Sequence, residues 1–222
     1  MTYITAWSFS AWDMWQTCPL KYKLTKIDKL KVETSPAMLR GRQVHDAIAK
    51  YLTGDAPCPT IASKRTQQTI EEIRTFDNKI VEQQWGFDRQ WKPTGWFTKG
   101  PKATWLRAVT DAGVLYDDMS AEVVDWKTGK NRGGYDDQLE LFAVATMQHM
   151  PVIDHVTTRL SFVDHEETVF GEYPRAEVPA LIEKWEGKVR PMFEDTEFLP
   201  RPNGMCKLCD FARSNGGPCR YG

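Results

Sequence analysis

The chain has 222 residues, of which 41% are hydrophobic and 27% are charged, and its formal net charge at pH 7 is −1. This length can bury one good core with a small appended subdomain, and the composition excludes an intrinsically disordered chain. The charge balance excludes a protein that binds nucleic acid through bulk positive charge. No stretch approaches the ~20 apolar residues that span a bilayer.

Helical spacing of hydrophobic residues dominates the first part of the chain, and alternating spacing follows it. The first predicted helix starts at Ser10, and the second runs from Ser35 to Gly54. A long third helix has Ile70, Ile73, Phe76, Ile80 and Val81 on one face and ends at Gly86. Two further helices cover 138–147, capped by Asp136, and 174–193. The predicted strands cover 87–92, 103–116, 121–127, 153–163 and 168–173. The tail from Glu194 is rich in Pro, Gly and Cys, so we expect no regular core there. The order of elements predicts an α/β domain with helices packed on a mixed sheet.

Two aspartates and a lysine stand near the ends of neighbouring predicted strands. Asp111 lies on one strand, and Asp125-Trp126-Lys127 ends the next. Two carboxylates that converge in this way can bind a hard divalent cation such as Mg²⁺. Lys127 lies two residues after Asp125, so both side chains leave the strand on the same face. The pattern indicates a phosphodiester-cleaving centre, although a surface ion pair at a strand end is the alternative.

Two further polar residues lie on predicted helices beside apolar neighbours. His45 shares a helical face with Ile48 and Leu52, which turns its imidazole inward, either toward a site or into the core. Gln138 opens a helical face that continues with Leu141. It can bond a phosphate or the lysine region, or it can be an ordinary polar residue of a first turn.

Four cysteines stand at the two ends of the chain. Cys18 is remote, whereas the other three, Cys206, Cys209 and Cys219, are clustered. Four thiolates suit zinc or a [4Fe–4S] cluster, and three clustered cysteines with one remote partner favour the cluster. Cys58, between two prolines, is interpreted as incidental.

Basic residues accompany both cysteine-bearing segments. They are Lys21, Lys23, Lys26, Lys29 and Lys31 after Cys18, and Arg201, Lys207, Arg213 and Arg220 around the other three cysteines. If the cysteines converge, these residues form a cationic patch for phosphates; otherwise they are solvated surface. Lys21, Lys23, Lys130 and Arg132 are the candidate DNA contacts.

The ordered set of these residues resembles the RecB-type branch of the PD-(D/E)xK nucleases. It is most similar to the iron–sulfur members, namely the fourth CRISPR-associated (Cas) protein family and its stand-alone viral relatives. The matching positions are Cys18, Gly41-Arg42-Gln43-Val44-His45, Asp111, Asp125-Trp126-Lys127, Gln138-Leu139-Glu140-Leu141-Phe142, Cys206, Cys209 and Cys219. The chain departs from the family pattern at two places. Phe142 stands where tyrosine is usual. Residues 107–110 lack the glycine that commonly precedes the first aspartate, which leaves Asp117 as the alternative to Asp111.

The resemblance implies a single nuclease domain over 1–222 with a restriction-endonuclease-like core at about 35–193. Segments 1–34 and 194–222 would join as an iron–sulfur subdomain. His45, Asp111, Asp125 and the carbonyl of Trp126 would bind Mg²⁺ or Mn²⁺, Lys127 would be the catalytic lysine, and Gln138 would belong to the Q-x3-Y motif. The four cysteines would hold the [4Fe–4S] cluster.

The implied activity is a metal-dependent exonuclease on single-stranded or end-bearing DNA, with endonuclease activity left open. Recombination or CRISPR-adaptation proteins are the implied partners. Since no signal peptide is evident, we expect the cytoplasm of a bacterial, archaeal or virus-infected cell and no membrane partner. Two alternatives stay open, namely a non-catalytic nucleic-acid-binding or assembly module on a nuclease-like scaffold, and a zinc-ribbon protein.

Overall fold

The computed structural model describes residues 4–32 and 34–222. Contacts between residues divide the chain into two compact units. The central unit is Pro36–Trp185, and the terminal unit combines Met1–Ser35 with Glu186–Gly222.

In the described chain, four α-helices precede four strands, and one helix, two strands and a last helix follow. The α-helices are α1 (Phe9–Thr17), α2 (Pro19–Tyr22), α3 (Pro36–Thr53), α4 (Lys64–Thr75), α5 (Asp136–His149) and α6 (Val178–Glu194). The strands are β1 (Lys79–Phe87), β2 (Pro93–Thr94), β3 (Leu106–Leu115), β4 (Ser120–Lys127), β5 (His155–Phe162) and β6 (Thr168–Pro174). A π-helical turn, Lys23–Ile27, follows α2. Among the described residues, no helix combines the length and the apolar character that a membrane crossing requires.

The six strands of the central unit form one sheet in the order β2-β1-β3-β4-β5-β6. β4 and β5 are parallel, and the other neighbouring pairs are antiparallel. A parallel pair needs a crossover connection, which α5 supplies between these two strands. The prediction of a mixed sheet flanked by helices is therefore confirmed.

The core of the central unit lies between the sheet and α3 and α4. Ile48 and Leu52 are one helical turn apart on α3 and are fully buried. They pack in one cluster with Val124 and Trp126 of β4. Because side chains alternate along a strand, burial of these two β4 residues directs Asp125 and Lys127 to the opposite face.

The predicted long helix is confirmed as far as Thr75, whereas its extension to Gly86 and the predicted strand over 87–92 are wrong. α4 ends at Thr75, and β1 follows after a turn at Asp77-Asn78. Ile80 and Val81 continue the helical spacing of α4 by coincidence, and pairing with β3 overrides it. Residues 88–92 form a turn in which the Asp88 carboxylate accepts hydrogen bonds from the backbone N–H groups of Gln90 and Lys92.

Two predicted helix starts are shifted. The side chain of Ser8, rather than Ser10, caps α1 by accepting a hydrogen bond from the backbone of Ala11. Asp136 is the first residue of α5 and does not cap it, since Tyr135 occupies the cap position without a side-chain hydrogen bond. Asp136 and Asp137 still favour the start of α5, because carboxylates stabilise the positive end of a helix dipole.

Hydrogen bonds from tryptophans tie the two ends of the chain together within the terminal unit. Trp12 Nε1 donates to the carbonyl of Lys188 at 3.2 Å, and Trp15 Nε1 donates to Asp195 Oδ2 at 2.8 Å. The tail after α6 has two short 3₁₀ turns, Cys206–Leu208 and Arg213–Asn215, and an isolated β-bridge pairs Ala212 with Cys219. Backbone hydrogen bonds support this conformation, for example from the N–H of Cys219 to the carbonyl of Phe211 at 2.8 Å.

Candidate active site

Neighbouring positions of β3 and β4 bring two carboxylates together. The register pairs Ala112 with Val124, so Asp111 and Asp125 lie beside each other on the same face. Asp111 Oδ2 accepts a hydrogen bond of 2.9 Å from the backbone N–H of Trp126. This bond fixes the Asp111 carboxylate against β4.

His45 of α3 contacts both strands of this pair. Its Nδ1 lies 3.2 Å from Asp111 Oδ2, and its Nε2 lies 2.8 Å from the carbonyl oxygen of Trp126. Both partners are acceptors, which favours the doubly protonated ring. The side chain is 30% exposed, so the imidazole lies at an open site rather than in a closed core.

Asp125 is the most crowded member of the site. Lys127 Nζ lies 2.7 Å from its Oδ2, and Gln138 Nε2 of α5 donates to its Oδ1 at 3.2 Å. Oδ2 is buried, and the Lys127 ammonium is its charged partner. A buried carboxylate of this kind depends on such a positive partner.

The pKa values of His45 and Asp125 are both raised at this site. Burial lowers the pKa of His45, but the hydrogen bond and the charge of Asp111 outweigh it and raise the value to about 9. Burial raises the pKa of Asp125 to about 6, although Lys127 opposes this shift. His45 and Asp125 therefore keep their protons at pH values where the isolated groups would have lost them.

Glu82 of β1 joins the site, and the sequence analysis missed it. One ligand atom from each of His45, Glu82 and Asp111 lies within 4.8 Å of the others. Burial, and then the charge of Asp111, raises the pKa of Glu82. Its backbone φ is 47°, in the left-handed region that few non-glycine residues adopt. The signal was hidden because this residue lay in the predicted long helix.

The remaining predicted residues of the central unit lie at different places. Asp117, the alternative to Asp111, is exposed in the turn between β3 and β4 and does not contact His45 in any described interaction. Lys130 and Arg132 are exposed in the loop after β4. Phe142 follows Gln138 by one helical turn and is buried in α5.

All four predicted cluster cysteines line one pocket of the terminal unit: Cys18, Cys206, Cys209 and Cys219. The backbone N–H of Arg201 lies 3.5 Å from the sulfur of Cys18, and that of Asn203 lies 3.3 Å from the sulfur of Cys206. Such N–H groups stabilise thiolates. Lys21 lines the same pocket, whereas Lys23 forms an ion pair of 2.7 Å with Asp28.

Comparison with known proteins identifies a family and solved structures to which this chain is similar. The sequence profile of the PD-(D/E)XK nuclease superfamily matches residues 6–214. The crystal structure of SSO0001 superposes with a TM-score of 0.51 at 15% identity and covers 98% of this chain and 88% of its own. A protein of Eubacterium rectale named "Putative exonuclease" has a TM-score of 0.51 at 16% identity, covering 95% of this chain and 88% of its own. No curated protein sequence matches the chain.

Proposed function

Since this chain belongs to the PD-(D/E)XK nuclease superfamily, we propose that it is a metal-dependent deoxyribonuclease that hydrolyses phosphodiester bonds. The observation that carries the proposal is the gathering of His45, Asp111, Asp125 and Lys127 at one end of the β3–β4 pair. An exonuclease that acts on single-stranded or end-bearing DNA is the preferred form, in keeping with the name of the Eubacterium rectale structural neighbour.

The donor atoms of the site suit a divalent cation. His45, Asp111, Asp125 and the carbonyl of Trp126 would hold Mg²⁺ or Mn²⁺, which take mainly oxygen ligands and tolerate an imidazole. The close approach of ligand atoms from His45, Glu82 and Asp111, within 4.8 Å of one another, supports a cation at this site. When bound, such a cation polarises a phosphate and favours deprotonation of an attacking water.

The chain's own residues supply the other parts of the reaction. Lys127 reaches the site from the same face as Asp125, and its ammonium can stabilise negative charge that develops on the phosphate oxygens. Gln138 donates to Oδ1 of Asp125 while Lys127 lies at Oδ2, so the two residues together orient this carboxylate. Asp111 is held by the backbone of β4, which keeps both carboxylates oriented before DNA binds.

A nuclease assay with controlled metal tests the proposal. We expect end-labelled single-stranded DNA to be degraded with Mn²⁺ or Mg²⁺ and to stay intact with EDTA, because the acidic site needs a cation to approach a phosphate. A circular single strand, which has no ends, separates exonuclease from endonuclease activity. Protein that leaves all of these substrates intact with either metal would refute the proposal.

Replacing Glu82 by glutamine tests the residue that the sequence analysis missed. The change keeps the size of the side chain and removes its charge, so we expect about tenfold weaker Mn²⁺ binding, the effect typical of a supporting ligand. Titration calorimetry of the purified protein measures this directly. Glu71→Gln, on the exposed face of α4, is the matched control. Equal affinity of the two variants would exclude Glu82 from the metal site.

We further propose that the four cysteines hold a [4Fe–4S] cluster that stabilises the terminal unit, and that both units belong to one nuclease domain. Their position around one pocket and the N–H groups directed at Cys18 and Cys206 support the proposal. The [4Fe–4S] cluster would act as a cross-link between the two ends of the chain. Visible absorption and iron analysis of protein purified without oxygen distinguish it from zinc.

A further inference from the structure

An exposed aromatic surface lies at the edge of the sheet, in the segment that connects β2 with β3. Phe97 is 72% exposed, the highest value among the exposed large hydrophobic residues of the described central unit. Its ring packs edge-on against Trp96, with the centroids 6.3 Å apart. The guanidinium of Arg107 lies 4.8 Å from the Phe97 ring centroid and 5.7 Å from that of Trp96. We call Trp96, Phe97 and Arg107 the edge platform.

Hydrogen bonds hold the edge platform in a fixed conformation. Thr104 is buried, and its hydroxyl donates to the carbonyl of Gly95 at 2.6 Å and accepts from the backbone N–H of Thr98 at 2.9 Å. Arg107 Nε also donates to the carbonyl of Trp96 at 2.9 Å. Exposed aromatic rings that the backbone already orients lose little entropy when a ligand stacks on them.

The charge around the edge platform is strongly positive although the whole chain is nearly neutral. Segment 88–107 contains five basic residues, Arg89, Lys92, Lys99, Lys102 and Arg107, and one acidic residue. That acid, Asp88, is buried, and its carboxylate accepts backbone hydrogen bonds of the local turn. The segment therefore carries a net positive charge, and Lys92, Lys99 and Lys102 are exposed, as on a surface that binds phosphates.

The edge platform and the candidate active site lie on the same strand. Arg107 and Val109 precede Asp111 on β3, and both are more exposed than Asp111. Val109 is 38% exposed, and its partner across the strand pair is the exposed Gln84 of β1. The path along β3 from Arg107 to Asp111 is about 14 Å long, from the rise per residue of a strand. A few nucleotides of an extended DNA strand cover that distance.

We infer that the edge platform binds the bases of a single DNA strand whose backbone runs along β3 into the active site. Aromatic rings stack on any unpaired base, and the neighbouring lysines and Arg107 attract the phosphates. The bases inside a duplex already stack on each other, so the rings favour single-stranded DNA. This inference rests on the proposed nuclease function and specifies the surface that holds the DNA substrate.

Binding of fluorescent oligothymidine in EDTA, measured by anisotropy, tests the inference without cleavage. We expect Phe97→Ala to raise the Kd about tenfold, the loss typical of one stacked base, and Phe97→Trp to restore it. Phe170→Ala is the matched control, because Phe170 is 64% exposed on β6, the opposite edge strand. Unfolding of each variant is followed by circular dichroism.

The outcomes separate this inference from the proposed function. Unchanged oligothymidine binding by Phe97→Ala, or an equal loss in Phe170→Ala, would overturn the edge platform even if the wild-type protein degrades DNA with Mn²⁺. An equal loss of affinity for a blunt duplex would overturn its preference for single strands. Phe97-dependent binding by a protein that cleaves no DNA would instead overturn the nuclease proposal and leave the edge platform standing.

Discussion

Replacing Lys127 by alanine is expected to lower the rate of DNA cleavage by about 100- to 1000-fold, as loss of one preorganised electrostatic donor does. The Lys127 ammonium is a positive group that the protein itself directs at the acidic site, 2.7 Å from Asp125 Oδ2. A bound cation would still neutralise the carboxylates, so we expect the variant to bind Mn²⁺. The rate is measured on end-labelled single-stranded DNA with saturating Mn²⁺.

The control for this variant must separate chemistry from charge and folding. Lys50→Ala removes an exposed lysine of α3, the helix that carries His45, and is expected to cleave at the wild-type rate. Lys127→Met keeps most of the aliphatic stem and should match Lys127→Ala in activity. Retained thermal unfolding with lost cleavage assigns Lys127 to the reaction. Cleavage by Lys127→Ala at the wild-type rate would remove the lysine from the mechanism.

The sheet could be predicted where burial and strand pairing agree with the sequence pattern. The apolar run before Asp125 predicts a strand. In the structure, β4 has buried residues on both of its faces, and it ends at Lys127 as predicted. The α4–β1 boundary could not be found in this way. Ile80 and Val81 fit either a helical or a strand period, and only pairing with β3 decides between them.

The composition of the candidate site depends on contacts that residue spacing does not encode. His45 meets Asp111 and the carbonyl of Trp126 through packing of α3 on the sheet, across large separations in the chain. The family resemblance, rather than any local period, brought these residues together as a prediction. Glu82 has no place in the resemblance, and its strand was predicted as a helix, so only the three-dimensional structure reveals it.

Replacing Cys206 by alanine is expected to remove visible absorption and to lower the free energy of unfolding by about 3–5 kcal/mol, the range for loss of a cross-link that closes a long loop. Cys206 shares its pocket with Cys18, so the cluster would join the two ends of the chain. The described tail has two short 3₁₀ turns and an isolated β-bridge, so we expect a cross-link to add to its stability. Iron analysis, absorption and thermal unfolding of protein purified without oxygen measure both effects.

Cys58→Ala is the matched control, because this fifth cysteine lies in the central unit, where its sulfur contacts Gln67 Nε2 at 2.8 Å. We expect this variant to keep its iron and its visible absorption, since it leaves the four-cysteine pocket unchanged. If the wild-type protein contains zinc and no iron, the pocket is a zinc site and the cluster proposal is wrong. A colourless Cys206→Ala protein as stable as the wild type would show that the pocket does not join the chain ends, because loss of a structural cross-link must lower stability.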